Sequence, residues 1–270
     1  MDRMHKRTKD FLKDWMPPIL MRVLRGLHGI SWAGDFDSWA DAQKVSSGYN
    51  SETILAKVKD SALKVKNGQA AYERDSVLFE EIEYSWPLLA GLMWIAAQSR
   101  GELNIIDFGG SLGSTYFQNR KFLQSLSKVR WNIIEQKLFV DTGKRHFEDD
   151  VLKFYYDIET CLGKNQPDTI LFSSVIQYLE KPYSVLEKVK ALNFQFILFD
   201  RTPFVDIGRD RLTLQTVPSQ ICQASYPAWF FDKKKFYAFF ENEYEVISSF
   251  ESSDRANIPS TFEGCVFRKK

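Results

Sequence analysis

Asn104-Ile105-Ile106-Asp107-Phe108-Gly109-Gly110-Ser111-Leu112-Gly113-Ser114 runs an apolar strand into a glycine-rich turn and then into a helix. Glycines there let the backbone bend sharply and approach a ligand closely. Outward from this turn, short β-branched and aromatic runs at 103–108, 131–134, 152–156, 169–172 and 194–199 read as strands. Helical patterns separate them at about 114–127, 138–147 and 182–192. Strands alternating with helices imply right-handed crossovers and a mostly parallel sheet covered on both faces, an α/β fold. The turn then lies at the carboxyl end of the opening strand, where such sheets bind ligands. After Asp200 comes a long Pro- and aromatic-rich stretch, then a helix near 233–240. Strand candidates at 244–250 and 264–268 close the chain.

Composition removes several alternatives. The 270 residues carry 36 Lys/Arg against 35 Asp/Glu, a net charge of +1. That lacks the basic excess of a protein that tracks nucleic-acid phosphates. Hydrophobic content of 44% with 26% charged residues reads as globular. Aromatic content of 15% calls for a home in a core or a pocket. Cys161, Cys222 and Cys265 form no CxxC pair, which argues against a zinc site, and their odd number argues against a disulfide framework. They read as thiols in a reducing compartment. No apolar run reaches the ~18 residues of a membrane span. Arg22 and Arg25 interrupt the one N-terminal apolar stretch, a poor signal peptide, so a cytoplasmic protein is expected.

Residues 1–100 read as an N-terminal helical extension or cap, and 101–270 as the ligand-binding domain. Within 1–30, Ile19, Leu20, Val23, Leu24 and Leu27 fall at helical spacing with Arg22 and Arg25 opposite. Such a segment packs on its own domain or rests on an anionic membrane surface through residues 11–27. Helices are predicted over 51–65 and from a Ser85 cap to about 99, with Pro87 in the first turn.

The turn discriminates among ligands. A dinucleotide fingerprint wants glycines at positions 1, 3 and 6, but counting from Gly109 the last two are Ser111 and Ser114. No Gly-Lys-Ser/Thr is present for a P-loop. Asp107 at the strand end repels a pyrophosphate and favours a cation. Asp107-x-Gly109-x-Ser111-x-Gly113 is similar to the D/E-x-G-x-G-x-G of class I S-adenosylmethionine (SAM) methyltransferases. Glu135, 22 residues beyond Gly113, stands where an acid grips ribose hydroxyls. Asp157, after the third strand, resembles the acid that faces adenine in those enzymes. The stretch 167–182 (PDTILFSSVIQYLEKP) is similar to their fourth-strand segment. Taken singly, each acid also reads as a solvated strand end, and the turn as a structural one.

The resemblance extends to a family of methyltransferases encoded among bacterial surface-polysaccharide genes. It rests on Ala71-Tyr72-Glu73-Arg74-Asp75-Ser76, residues 107–114, Ile134-Glu135-Gln136, residues 172–179, Asp200-Arg201-Thr202-Pro203-Phe204 and Ala224–Phe230. It implies a Rossmann-like class I methyltransferase sheet, mostly parallel with a closing antiparallel strand. It also implies SAM held by Asp107, Gly109, Gly110, Ser111, Gly113, Glu135, Asp157, Ser173 and Gln177, with a sugar or glycan acceptor. Ser111 departs from the pattern's middle glycine.

A hydroxyl acceptor is a weak nucleophile and needs a base. Asp200, ending the fifth strand, is the candidate base or orienting group. Arg201 is placed to fork onto an anionic group, or to pair with Asp200 and fix the loop. Tyr178 is placed at the methyl pocket with Gln177, or caps the following helix. Arg74, Thr202, Tyr226 and Trp229 are candidate acceptor contacts, the last three within an aromatic insertion over 201–235. Glu73, Arg74 and Asp75 form either a lid or a surface ion-pair patch. His28 and His146 lack partners in sequence, and no metal site is expected. A non-catalytic methyltransferase-like scaffold and an NAD- or nucleotide-sugar-dependent enzyme are the competing readings.

Overall fold

In the glycine-turn strand, β4 (Glu102–Phe108), consecutive side chains enter different cores, which sets the architecture. Ile105 joins one hydrophobic cluster and Ile106 the other. The same alternation separates Ile133 from Ile134 in β5 (Lys128–Ile134) and Phe154 from Tyr155 in β6 (Leu152–Tyr155). It also separates Leu171 from Phe172 in β7 (Thr169–Ser173), and Leu198 from Phe199 in β8 (Phe196–Val205). Nearly continuous apolar strands are what a sheet buried on both faces requires. The computed structural model describes residues 29–48, 51–74, 77–218 and 224–270. The expected 11–27 segment, Asp75, Ser76 and Cys222 lie outside them.

The parallel strands run β6-β5-β4-β7-β8. The chain builds outward from β4 to β6, returns to β7 on β4's other side, and so makes a switch point beside β4. β11 (Tyr244–Glu251) and β12 (Thr261–Lys269) follow, with β12 antiparallel to β8. This is the expected mostly parallel α/β sheet with an antiparallel closure. One face carries α2 (Ser51–Lys66), α3 (Trp86–Gln98), α4 (Ser114–Leu123) and α5 (Lys137–His146). The other carries α6 (Ile158–Leu162), α7 (Pro182–Ala191) and α8 (Lys233–Ala238). Ser85 occupies the N-cap of α3, but its hydroxyl makes no cap bond.

Two expectations are corrected. The stretch after Asp200 is not an aromatic loop. β8 continues through Pro203 to Val205, and β9 (Arg211–Val217) and β10 (Ala224–Asp232) pair antiparallel beyond it. Pro203 and Pro227 read as strand breakers in sequence, yet both lie in register, opposite Phe262 and Leu214. The N-terminal part is not purely helical either. β1 (Ser31–Ala33) adds to β9 at the margin of the main sheet, followed by α1 (Trp39–Lys44). β2 (Tyr72–Arg74) and β3 (Val77–Phe79) form a separate hairpin. Three-residue strands carry too little periodicity to stand out in sequence.

Candidate active site

The carboxyl ends of β4, β5, β7 and β8 open into a cleft of about 3080 Å³. That exceeds the roughly 300–1,000 Å³ of an ordinary small-molecule site and leaves room for two ligands side by side. Asp107, Gly109, Gly110, Ser111, Glu135, Ser173, Tyr178, Asp200, Arg201, Arg74 and Tyr226 all line it. Eleven of the residues singled out in sequence therefore converge on one space.

The glycine turn is built around Asp107. Its side chain is 1% exposed, and Oδ2 accepts from Trp131 Nε1 at 3.0 Å. A Cβ on Gly110 would sit 2.6 Å from Oδ2, so only glycine leaves the carboxyl its place. Gly109 has φ +70°, and a Cβ there would fall on Val175 Cγ2. Its N–H donates to Ile134 O at 2.9 Å, which ties the turn to β5. Ser111, at the middle-glycine position, is held at φ +53°. A side chain in that region costs of order 1–3 kcal/mol and persists only where the surroundings impose it. Gly113 (φ +100°) is the N-cap of α4 and packs against Leu152 and Phe117, behind the cleft wall.

Burial pushes the Asp107 carboxyl from 3.8 up to about 7. The Trp131 bond opposes that rise, Glu135 adds to it and Arg201 opposes it. The full negative charge assumed from sequence is thus halved near neutrality. Glu135 is raised by burial too, against bonds from the backbone N–H groups of Gln136 and Ser111. An arriving cation favours the charged form of each acid and so opposes the effect of burial on both. Asp107 Oδ1 is buried without a hydrogen-bond partner among the described residues. This orphaned oxygen under a glycine turn fits a cation-bearing cofactor and does not fit a pyrophosphate.

The other half of the cleft is centred on Asp200. It is 2% exposed, and its carboxyl is raised by burial. Arg201 and Ser173 oppose that rise, as does Arg74, while Asp254 adds to it. Arg201 Nε lies 3.4 Å from Asp200 Oδ2. Arg74 pairs with Asp254, so the β2–β3 hairpin reaches the β11–β12 loop, and its neighbour Glu73 accepts from Ser114 Oγ on α4. Glu73 is 2% exposed and is therefore not part of a surface patch. Along the far wall, Gln215 Oε1 accepts from Trp32 Nε1 and from Tyr178 Oη, each at 3.0 Å. Gln215 Nε2 donates to Tyr226 Oη at 3.2 Å, and Tyr178 and Tyr226 pack edge to face.

With Gly113, five candidates fall outside the lining. Asp157 is exposed and caps α6, accepting from the Thr160 N–H at 2.6 Å, which lowers its pKa. Thr202 is fully buried opposite Glu263. Trp229 donates to Leu179 O at 3.1 Å and stacks behind Trp39, which itself faces the cleft. Gln177 is buried beneath the β7 and β8 ends. Conversely, sequence reasoning passed over Gln215, Trp39 and the loop residues Asp254 and Asn257. The available signal was the run Ser252-Ser253-Asp254-Arg255-Ala256-Asn257 between two closing strands. Because β12 is antiparallel to β8, that loop must lie at the carboxyl end of the parallel strands.

The fold is a Rossmann-like sheet of the class I SAM-dependent methyltransferase type. A solved structure of the N-terminal domain of EvdMO1, in the presence of SAH and D-fucose, is similar over 82% of this chain and 98% of its own. The TM-score is 0.50 and the identity 15%. The Synechocystis PCC 6803 magnesium protoporphyrin IX methyltransferase with bound SAM is similar over 83% and 99%, at TM-score 0.45 and 10% identity. No protein-family model and no curated protein sequence matches the chain. Among the described residues no helix is long and apolar enough to cross a membrane.

Proposed function

We propose that this protein is a SAM-dependent O-methyltransferase acting on a sugar or glycan intermediate of bacterial surface-polysaccharide synthesis, in the cytoplasm. The observation that carries the reading is the pair of burial-raised acids, Asp107 and Glu135, on adjacent strand ends around a turn with no room for a side chain at Gly109 or Gly110. SAM, when bound, supplies a methyl group on a sulfonium. Glu135 is assigned to the ribose hydroxyls, and Gly109, Gly110 and Ser111 to close backbone approach. Asp107 holds the turn and answers the cofactor's positive charge.

Asp200 is the assigned base, taking the acceptor hydroxyl's proton on its carboxylate as the oxygen attacks. Its burial places its pKa above the ordinary aspartate value, nearer the working pH of a general base. Arg201 favours its charged form. Tyr178, Tyr226, Trp39 and Gln215 offer the aromatic faces and amide that suit a sugar ring. The D-fucose named with the EvdMO1 domain agrees with this choice of acceptor. Alignment of acceptor and methyl group can account for about 7–11 kcal/mol of barrier, and the base for a further ~10²–10⁴-fold.

Calorimetry of the full chain tests the cofactor half. SAM and SAH are expected to bind and NAD not to. Binding of NAD, or absence of SAM binding by a folded chain, overturns the assignment.

A further inference from the structure

Ser173 and Asp200 stand opposite each other in the parallel register at the ends of β7 and β8. Ser173 Oγ donates to Asp200 Oδ2 at 2.9 Å and accepts from Arg201 Nη2 at 3.3 Å. The residue after each is a non-glycine in the left-handed region, Ser174 at φ +54° and Arg201 at φ +53°. With Ser111, these are three of the five such residues in the described chain, and all three line the cleft. Each costs free energy and survives only where neighbours over-determine it. Here the brace is visible. The Ser174 N–H donates to Asp200 O at 2.9 Å. Gln177, 2% exposed, donates from Nε2 to Ser174 Oγ at 3.2 Å and to Arg201 O at 3.5 Å. One buried amide thus joins both left-handed turns.

We propose that Ser173 is a positioning residue for Asp200, braced by Gln177, and that neither side chain is a ligand of the cofactor. This rests on the reading of Asp200 as the base. Ser173 and Arg201 both engage Oδ2 of Asp200, while Oδ1 has no hydrogen-bond partner among the described residues. The arrangement directs one oxygen to the scaffold and reserves the other for the acceptor's proton. The charged groups facing Asp200 are Arg201 on its own strand, Arg74 from β2 and Asp254 from the β11–β12 loop. Ser173 is the neutral donor among them, and losing its hydroxyl removes an influence that keeps the carboxyl ionised.

The test needs no acceptor. The full chain, labelled with carboxyl-¹³C aspartate, is titrated by NMR, with Asp200→Asn identifying the resonance. Ser173→Ala is expected to move the Asp200 titration upward by roughly half a pH unit to one unit, the scale of one neutral hydrogen bond. Ser173→Thr, which keeps the hydroxyl, is expected to return it. SAM affinity by calorimetry is expected to stay within about twofold of wild type in both. An unmoved titration in Ser173→Ala overturns the proposal, and so does a tenfold loss of SAM affinity, which would make Ser173 a cofactor ligand. A wild-type chain that binds no SAM sinks the cofactor assignment instead, and the titration alone then decides the role of Ser173.

Discussion

Replacing Asp107 by Asn separates a functional carboxylate from a structural one. Below about pH 4 the group is protonated in both folded and unfolded chains and contributes nothing to stability. Between its ordinary 3.8 and about 7 the folded protein holds a proton that the unfolded chain has released, so stability falls as pH rises. Above pH 7 the penalty is complete, and a rise of this size corresponds to about 4 kcal/mol. Roughly 3 kcal/mol of it develops between pH 5 and pH 8. Asparagine does not titrate, and its oxygen can keep the Trp131 bond. Burying its amide without a partner costs about 1–3 kcal/mol, but equally at every pH. The expected result of urea unfolding is therefore a stability difference, variant minus wild type, that moves in the variant's favour by roughly 3 kcal/mol from pH 5 to pH 8. Calorimetry on the same variant should show SAM affinity reduced at least about tenfold. Parallel pH dependences in the two proteins would refute the burial argument, and undiminished SAM affinity would remove Asp107 from the site.

Asp200→Asn should retain SAM affinity while methyl transfer from labelled SAM falls by about 10²-fold or more; normal turnover rejects it as the base. SAM binding at pH 7 should release protons, because a cation beside Asp107 favours its ionised form. The check is the slope of binding enthalpy against buffer ionisation enthalpy, and a zero slope counts against the reading. Gly109→Ala should destabilise the fold by about 2 kcal/mol or more through its collision with Val175. Val175→Ala should recover part of that loss in the double variant, leaving the strain of φ +70°; simple additivity of the two losses would show the collision is relieved elsewhere. Gln215→Leu removes the common partner of Trp32, Tyr178 and Tyr226 and should raise the acceptor KM more than it lowers kcat. The opposite split would place the network at the reacting atoms.

The parallel sheet, the glycine turn and the acids Asp107, Glu135 and Asp200 were legible in the sequence. Each is specified locally, by an apolar run that ends in a residue of fixed type. What depended on distant partners was not. Pro203 and Pro227 look like breaks, yet both pair in the sheet, opposite Phe262 and Leu214. Asp157 reads as a ligand, but a helix beginning one residue later captures its carboxylate. Gln177 reads as a pocket residue and is instead a strut under two strand ends. The far wall of the cleft joins Trp32, Tyr178, Gln215 and Tyr226, and Arg74 meets Asp254 from 180 residues away. Local chemistry names the groups that can act. Only chain reversals across the whole sheet decide which are buried enough to shift their charge, and which are already taken by a neighbour, because desolvation and hydrogen bonding depend on everything that packs around a side chain.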